Sequence, residues 1–267
     1  MTGRPGGVSL PPFDACNLGD HVHDNPVHVQ ANRQRLARSL GARPVFLQQV
    51  HGVQAVHLQA HTPDGTVADA CFTQTPGLAC TVMVADCLPV LLVDGAGRTV
   101  AAAHAGWRGL AGEGQPGGAG VLESIFKSFC SLSLDGKKNI AIYKNAEYLR
   151  NWAAGCQAWL GPCIGPTAFE VGESVREAFL ASELPMAEVD ACFEPVAGVS
   201  GKFLAHLPQL ARLRLARLGV GRVWGNDGSA DWCTVGHPAQ WFSHRRDAAR
   251  WGSTGRMAAC IWLDGNR

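Results

Sequence analysis

A chain of 267 residues, 46% of them hydrophobic, has enough apolar material for a full core and is expected to form one large domain. With 23 Lys and Arg against 22 Asp and Glu, its net charge of +1 gives no electrostatic case for nucleic acid or an anionic membrane surface. No apolar run approaches the roughly 18 residues of a membrane span.

The opening stretch, "MTGRPGGVSLPPFDACNLGD", lacks the basic-then-apolar order of a secretory signal. The ten cysteines are scattered, several of them inside apolar runs (Cys80, Cys163, Cys260), and share no recurring spacing. Reduced thiols in a cytoplasm are therefore expected rather than a disulfide framework.

In chain order, a helix is expected over Pro26–Leu40, started by Asn25-Pro26 and closed by Gly41. Strands are expected over 45–50, 53–58, 78–84, 90–93 and 99–103, where β-branched or apolar residues run between turn formers. A helix over 120–129 follows, then a strand over 158–160, a helix over 173–180, a long helix over 202–218 closed by Gly219, and strands over 222–224 and 257–263. Helices and strands interleave, yet the central strands are linked as a hairpin. That predicts a mixed α/β layered domain rather than a strictly parallel sheet. The stretch 113–155 reads as a flexible loop, a short helix and a second polar excursion.

The chemistry concentrates in "ADCLPVLLVDGAGRTVAAAHAGWRG", residues 85–109. A four-residue loop, Asp94 to Gly97, pairs Val93 with Arg98, so paired numbers sum to 191 and Cys87 faces His104 at the open end of the hairpin. His51 ends the apolar alternation of "FLQQVHG". Three Cys/His ligands with a fourth position open form the composition of a catalytic zinc site, although copper accepts the same donors. Two other readings stay open. One takes the three residues as unrelated core side chains; the other takes Cys87 as a thiolate nucleophile with His104 as base and Asp86 as orienter.

Other stretches carry less. His21, His23, Asp24 and His28 lie in a polar loop before a helix and read as solvated. "GPCIGP" (161–166) reads as a tight strand-to-helix turn. Arg245 and Arg246 of "FSHRRD" are expected to alternate across a strand, so that only one faces a pocket. Arg33 can reach a site from its helix.

Taken in order, "GGVS", "NLG", "DNPVHVQANR", "QQVHG", "ADA", "ADCLPVLLVD", "AAAHAGWRGL", "GPCIGP" with "AFEVG", "FSHRRD" and "TGRMAACIWL" resemble the bacterial laccase-domain family. It is also called the peptidoglycan editing factor or multicopper polyphenol oxidoreductase family. The likeness runs from about residue 6 to residue 264. It implies a fold similar to a cysteine-histidine toxin deamidase, and metal ligands at His51, Cys87 and His104. It also implies zinc-dependent phosphorolysis of adenosine, inosine and methylthioadenosine, with deamination of adenosine in the same pocket. Copper-dependent polyphenol oxidation and an amidase-type role on cell-wall precursors are further implied activities. Deamination requires a carboxyl proton shuttle, for which Asp86 is the nominee. Phosphorolysis requires a fixed cation for phosphate, for which Arg33 and Arg245 are favoured over Arg108, Arg246 and Arg256. The implied partners are a nucleoside and phosphate. Two departures stand out: His23 occupies a position where the family has glycine, and 113–155 is longer than its counterpart.

Overall fold

The computed structural model describes residues 1–134 and 146–265 and has a mixed α/β architecture. Its centre is a six-stranded sheet formed by β2 (Ala55–His57), β3 (Ala70–Thr73), β5 (Leu88–Val93), β6 (Val100–Ala105), β7 (Gln157–Leu160) and β11 (Arg222–Gly225), in the order β11-β7-β5-β6-β3-β2. A second sheet, β1 (Arg43–Phe46), β4 (Leu78–Val84) and β12 (Met257–Ile261), covers one face in the order β1-β4-β12. A third, β8 (Glu170–Gly172), β9 (Phe193–Pro195) and β10 (Lys202–Ala205), has β10 in its middle.

Strand alternation divides the central sheet cleanly. Leu88, Val90, Leu92, Ala101, Ala103 and Ala105 pack against the helical layer of α2 (Trp107–Ala111), α3 (Val121–Leu134) and α7 (Leu207–Arg217). Leu91, Val100 and Ala102 face Val45, Cys80, Val82 and Ala259 of the second sheet. His104 shares the parity of Val100 and Ala102, so it points between the two sheets.

The expected helix over Pro26–Leu40 is present as α1: the Asn25 side chain accepts the Val27 amide and Gly41 closes it at φ 63°. Strand β4 also lies where expected, and all seven of its residues are buried. α5 (Glu173–Leu180) agrees as well.

Other expectations are corrected. The hairpin pairs Val93 with Val100 and Leu88 with Ala105, so paired numbers sum to 193. The Asp94 carboxylate captures the amides of Arg98 and Thr99 (2.7 and 3.2 Å), which moves the four-residue loop one position onward. His104 therefore opposes Pro89, and Cys87 lies one step beyond the ladder. A slip of two residues preserves the face, so both still point the same way.

The long helix expected over 202–218 is split into β10 and α7. The His206 side chain caps α7 by accepting the Gln209 amide, and Pro208 fixes its first turn. "GPCIGP" leads into β8, not into a helix. "FSHRRD" opens a helix, α8 (His244–Trp251), where a strand was expected. α6 (Met186–Asp190) was not foreseen.

Within 113–155 the structure shows a 3-10 turn at Pro116–Gly118, α3, and α4 (Ala146–Gly155); the rest of the polar excursion, 135–145, lies outside the described residues. Ser133, near the end of α3, donates to the Thr99 hydroxyl at 2.8 Å, and Gly155 at the end of α4 abuts Gly95. Both attachments are at the hairpin-turn end of β5 and β6. No helix among the described residues is long and apolar enough to cross a membrane.

Candidate metal centre

Three chain segments bring His51, Cys87 and His104 together. β4 leads through Ala85-Asp86-Cys87 into β5, β6 ends with His104-Ala105, and the loop after β1 carries His51. Their ligand atoms all lie within 4.8 Å of one another, and among the described residues no other group of three metal-ligating side chains forms. Cys87 Sγ is 3.8 Å from His51 Nε2. Zinc bonds of about 2.3 Å to sulfur and 2.0–2.1 Å to nitrogen, set at tetrahedral angles, would separate those atoms by about 3.6 Å. A Cβ on Gly106 would sit 2.9 Å from His51 Cδ2 and 3.1 Å from Cys87 Sγ, so the cluster occupies space that only glycine leaves.

The residue that organises this cluster is Asp69, which the sequence reading did not nominate. It is completely buried, one residue ahead of β3. Because β3 pairs Ala70 with Ala103, Asp69 stands directly opposite His104. Asp69 Oδ1 is 2.9 Å from His104 Nδ1 and accepts the His51 amide at 2.9 Å. Its Oδ2 accepts the amides of Val50 (3.1 Å) and Gly52 (2.7 Å). His104 Nε2 is thereby left for a ligand, the orientation seen where a carboxylate backs a metal-bound histidine. Asp69, not Asp86, orients His104.

The charges fit a cation. Burial pushes the Asp69 carboxyl up, but His104 and the surrounding amides outweigh it and hold the group below its ordinary value. Burial likewise opposes ionisation of Cys87, yet the two histidines bring the thiol down to about 6. His104 rises to about 9 because Cys87 and Asp69 overcome the burial that disfavours its charge. A thiolate and a carboxylate thus converge on one imidazole, and a metal ion can take the place of its proton.

Asp86 has a different setting. It is 8% exposed and adopts φ 89° between β4 and β5. Its Oδ1 accepts the Thr234 hydroxyl at 2.5 Å, while Oδ2 accepts the Ser243 hydroxyl at 3.1 Å and the Arg245 amide at 2.6 Å. Its carbonyl accepts the Ile164 amide at 2.9 Å. The strained turn that presents Cys87 is therefore fastened to three other segments.

The cluster forms part of the wall of a cleft of about 300 Å³. Trp107, Ile164, Phe169 and Leu207 give it an apolar side; His21, His244, Arg245 and Arg256 give it a polar one, whose positive charge comes from the two arginines. Arg33 is not part of this lining. Its Nε donates to the Leu18 carbonyl, its Nη2 pairs with Asp20 at 3.2 Å, and its guanidinium covers the Phe46 ring. Arg245 lines the cleft, with its Nη1 and Nη2 donated to the Ala168 and Glu170 carbonyls. Arg108 pairs with Glu113 and stacks on Trp107.

The model of the multi-copper polyphenol oxidoreductase laccase family matches residues 1–264. The chain belongs to this family. Purine nucleoside phosphorylase YfiH of Escherichia coli (strain K12) is 46% identical over 262 residues, 97% of this chain and 91% of that protein. Purine nucleoside phosphorylase PA4543 of Pseudomonas aeruginosa is 44% identical over 263 residues, 98% and 92% of the two chains. Among solved family structures, Neisseria meningitidis protein NMB0706 superimposes with a TM-score of 0.79 at 43% identity, covering 99% of this chain and 93% of that one.

Proposed function

We propose that the chain is a zinc-dependent purine nucleoside phosphorylase acting on adenosine, inosine and methylthioadenosine. The observation that carries this reading is a three-ligand cluster, open on its fourth side, in one cleft with an apolar wall and a cationic wall. Relatives covered along nine-tenths of their length and named purine nucleoside phosphorylase support it. His51, Cys87 and His104 would hold the ion, which would supply a Lewis-acidic charge beside the reacting bond. Zinc is favoured over a multi-copper assembly because the described residues offer one three-ligand group, whereas oxygen reduction draws on several copper ions.

The cleft residues have separable tasks. Trp107 and Phe169 present ring faces to the base, and the cationic wall holds phosphate beneath the sugar. A phosphate oxygen bonds to C1′ as the C1′–N9 bond breaks. The electron pair leaves with the purine, which takes a proton from solvent. Fixed donors beside the developing charge need no reorganisation during reaction.

Deamination of adenosine at the same site needs a free carboxyl shuttle. Asp86, the nominee, already accepts three protein hydrogen bonds at its two oxygens, which supports a positioning role. A metal-free hydrolase is the second reading, and one observation favours it: Cys87, His104 and Asp69 stand in the nucleophile, base and orienter order of a cysteine triad.

Purified protein incubated with each nucleoside, with and without phosphate, and in parallel with a cell-wall precursor amide, before and after chelation, separates these readings. Phosphate-dependent release of free base that is lost on chelation and restored by zinc is expected. Phosphate-independent amide hydrolysis surviving chelation would instead establish the thiol enzyme.

A further inference from the structure

Arg256 stands apart from Arg245, which lines the same cleft, in how its fork is used. It sits just before β12, and because Met257 pairs with Val84, it flanks Ala85 beside the turn that carries Asp86 and Cys87. Its backbone amide donates to Asn17 Oδ1 at 2.8 Å. Its Nη1 donates to the carbonyls of Thr254 (2.9 Å) and Gly255 (3.3 Å). A Cβ on Gly19 would lie 2.7 Å from Arg256 Cγ, so the Asn17–Gly19 loop closes tightly on the side chain and fixes its path.

The opposite edge of the guanidinium is unused. Nε and Nη2 have no hydrogen-bond partner among the described residues, and neither is sealed from solvent. No carboxylate among the described residues forms an ion pair with Arg256, whereas Arg33 has Asp20, Arg214 has Glu123 and Arg246 has Asp247. Arg33 has spent its Nε and Nη2 edge, and Arg245 has spent both terminal nitrogens. A half-buried cation with an open fork, in a cleft, calls for an anion. The Nε–Nη2 edge presents two parallel donors that match two oxygens of a tetrahedral oxyanion.

We propose that Arg256 holds the attacking orthophosphate through its Nε and Nη2, while Arg245 shapes the cleft mouth. The assignment rests on the phosphorolysis reading, and it identifies which residue gives that reading its anion site. His21 adjoins this subsite; burial, reinforced by Arg256, disfavours its protonated form despite Asp20, which leaves the arginine as the dominant cation there.

The test uses the full-length, zinc-loaded protein and inorganic phosphate. Binding is measured by calorimetry in the parent, Arg256→Gln, Arg256→Lys and Arg33→Gln. Losing a charge-assisted bidentate contact is expected to weaken phosphate at least about tenfold in Arg256→Gln and to raise its Michaelis constant likewise. Arg256→Lys recovers part of the affinity, and Arg33→Gln stays within about twofold of the parent. Should Arg256→Gln fail to fold, phenylglyoxal labelling of the parent replaces it: phosphate should shield Arg256 from modification. Unchanged phosphate affinity in folded Arg256→Gln, or shielding of a different arginine, overturns the proposal. So does protection by adenosine monophosphate with none by free phosphate, because the anion would then belong to the substrate. If phosphate shields Arg256 but no nucleoside is cleaved, the anion site stands and the phosphorylase reading falls.

Discussion

One carboxylate oxygen, Asp69 Oδ1, accepts from both His104 Nδ1 and the His51 amide at 2.9 Å, so the two histidines are set by the same atom. Asp69→Asn preserves size but turns an NH2 group toward backbone amides that now meet a carboxylate. The prediction is a roughly 10- to 100-fold loss of zinc affinity, read by competition with a chromophoric chelator. An accompanying loss of about 1–3 kcal/mol in stability reflects the mispaired amides.

Gly106→Ala tests the cluster from the other side. The backbone at Gly106, φ −64° and ψ 157°, suits alanine, so the added methyl acts through its contacts with the cluster, closest to His51 and Cys87. Zinc content on elemental analysis should drop while the circular dichroism of the fold is kept. Overpacking of this kind costs about 1–3 kcal/mol.

Metal removal should expose one thiol among ten. With zinc stripped, Cys87 is pulled down to about 6, while burial holds Cys130, Cys192 and Cys260 near about 11 and Cys156 near about 12. Iodoacetamide labelling of Cys87, followed by peptide mass spectrometry, is expected to be near its plateau at neutral pH. It should fall as pH drops through about 6, because protonation removes the thiolate. Zinc added beforehand should block the label; equal labelling with and without zinc would remove Cys87 from the ligand set.

For Asp86, the hydrogen bonds predict a thermal effect. Asp86→Asn replaces one of the two acceptor oxygens by an NH2 group, which meets either the Thr234 hydroxyl or the Ser243 hydroxyl and Arg245 amide. A loss of about 1–3 kcal/mol is expected, with nucleoside turnover and melting temperature falling together. A variant of parental stability whose deamination alone is abolished would restore the proton-shuttle role.

Arg214 gives a prediction far from the cleft. It is 2% exposed, donates to the Ala111 and Gly118 carbonyls, and pairs with Glu123 at 2.8 Å. Arg214→Met strands those acceptors beneath α7. A destabilisation of about 3 kcal/mol and a melting temperature lowered by roughly 6–12 °C are expected by calorimetry.

Most long elements were legible in the sequence because continuous apolar runs, proline starts and glycine stops speak locally; the grouping of His51, Cys87 and His104 was legible through the hairpin and the family resemblance. The hairpin register was read two residues off, since Asp94's capture of two amides is a side-chain event that loop length does not reveal. Asp69 stayed hidden for a related reason. Its strand, "ACFT", is four residues long with no alternation, so nothing announced that the preceding aspartate lies across from His104. The helix under "FSHRRD" was missed because its N-terminus is fixed by Ser243 locally and by Asp86 from far along the chain. Arg256 looked like an ordinary strand-leading residue until its unspent edge could be seen.

The hairpin also gives the molecule two unequal ends. His51, Cys87 and His104 gather where β5 begins and β6 finishes, whereas Ser133 and Gly155 fasten to Thr99 and Gly95 at the turn. Five residue steps separate Thr99, just ahead of β6, from His104, about 17 Å along the strand direction. The C-terminal ends of α3 and α4 are thus tethered at the far end of the hairpin from the His51, Cys87 and His104 cluster. That end is where an affinity handle, a fluorophore or a shortened connection can be engineered with the least disturbance to catalysis.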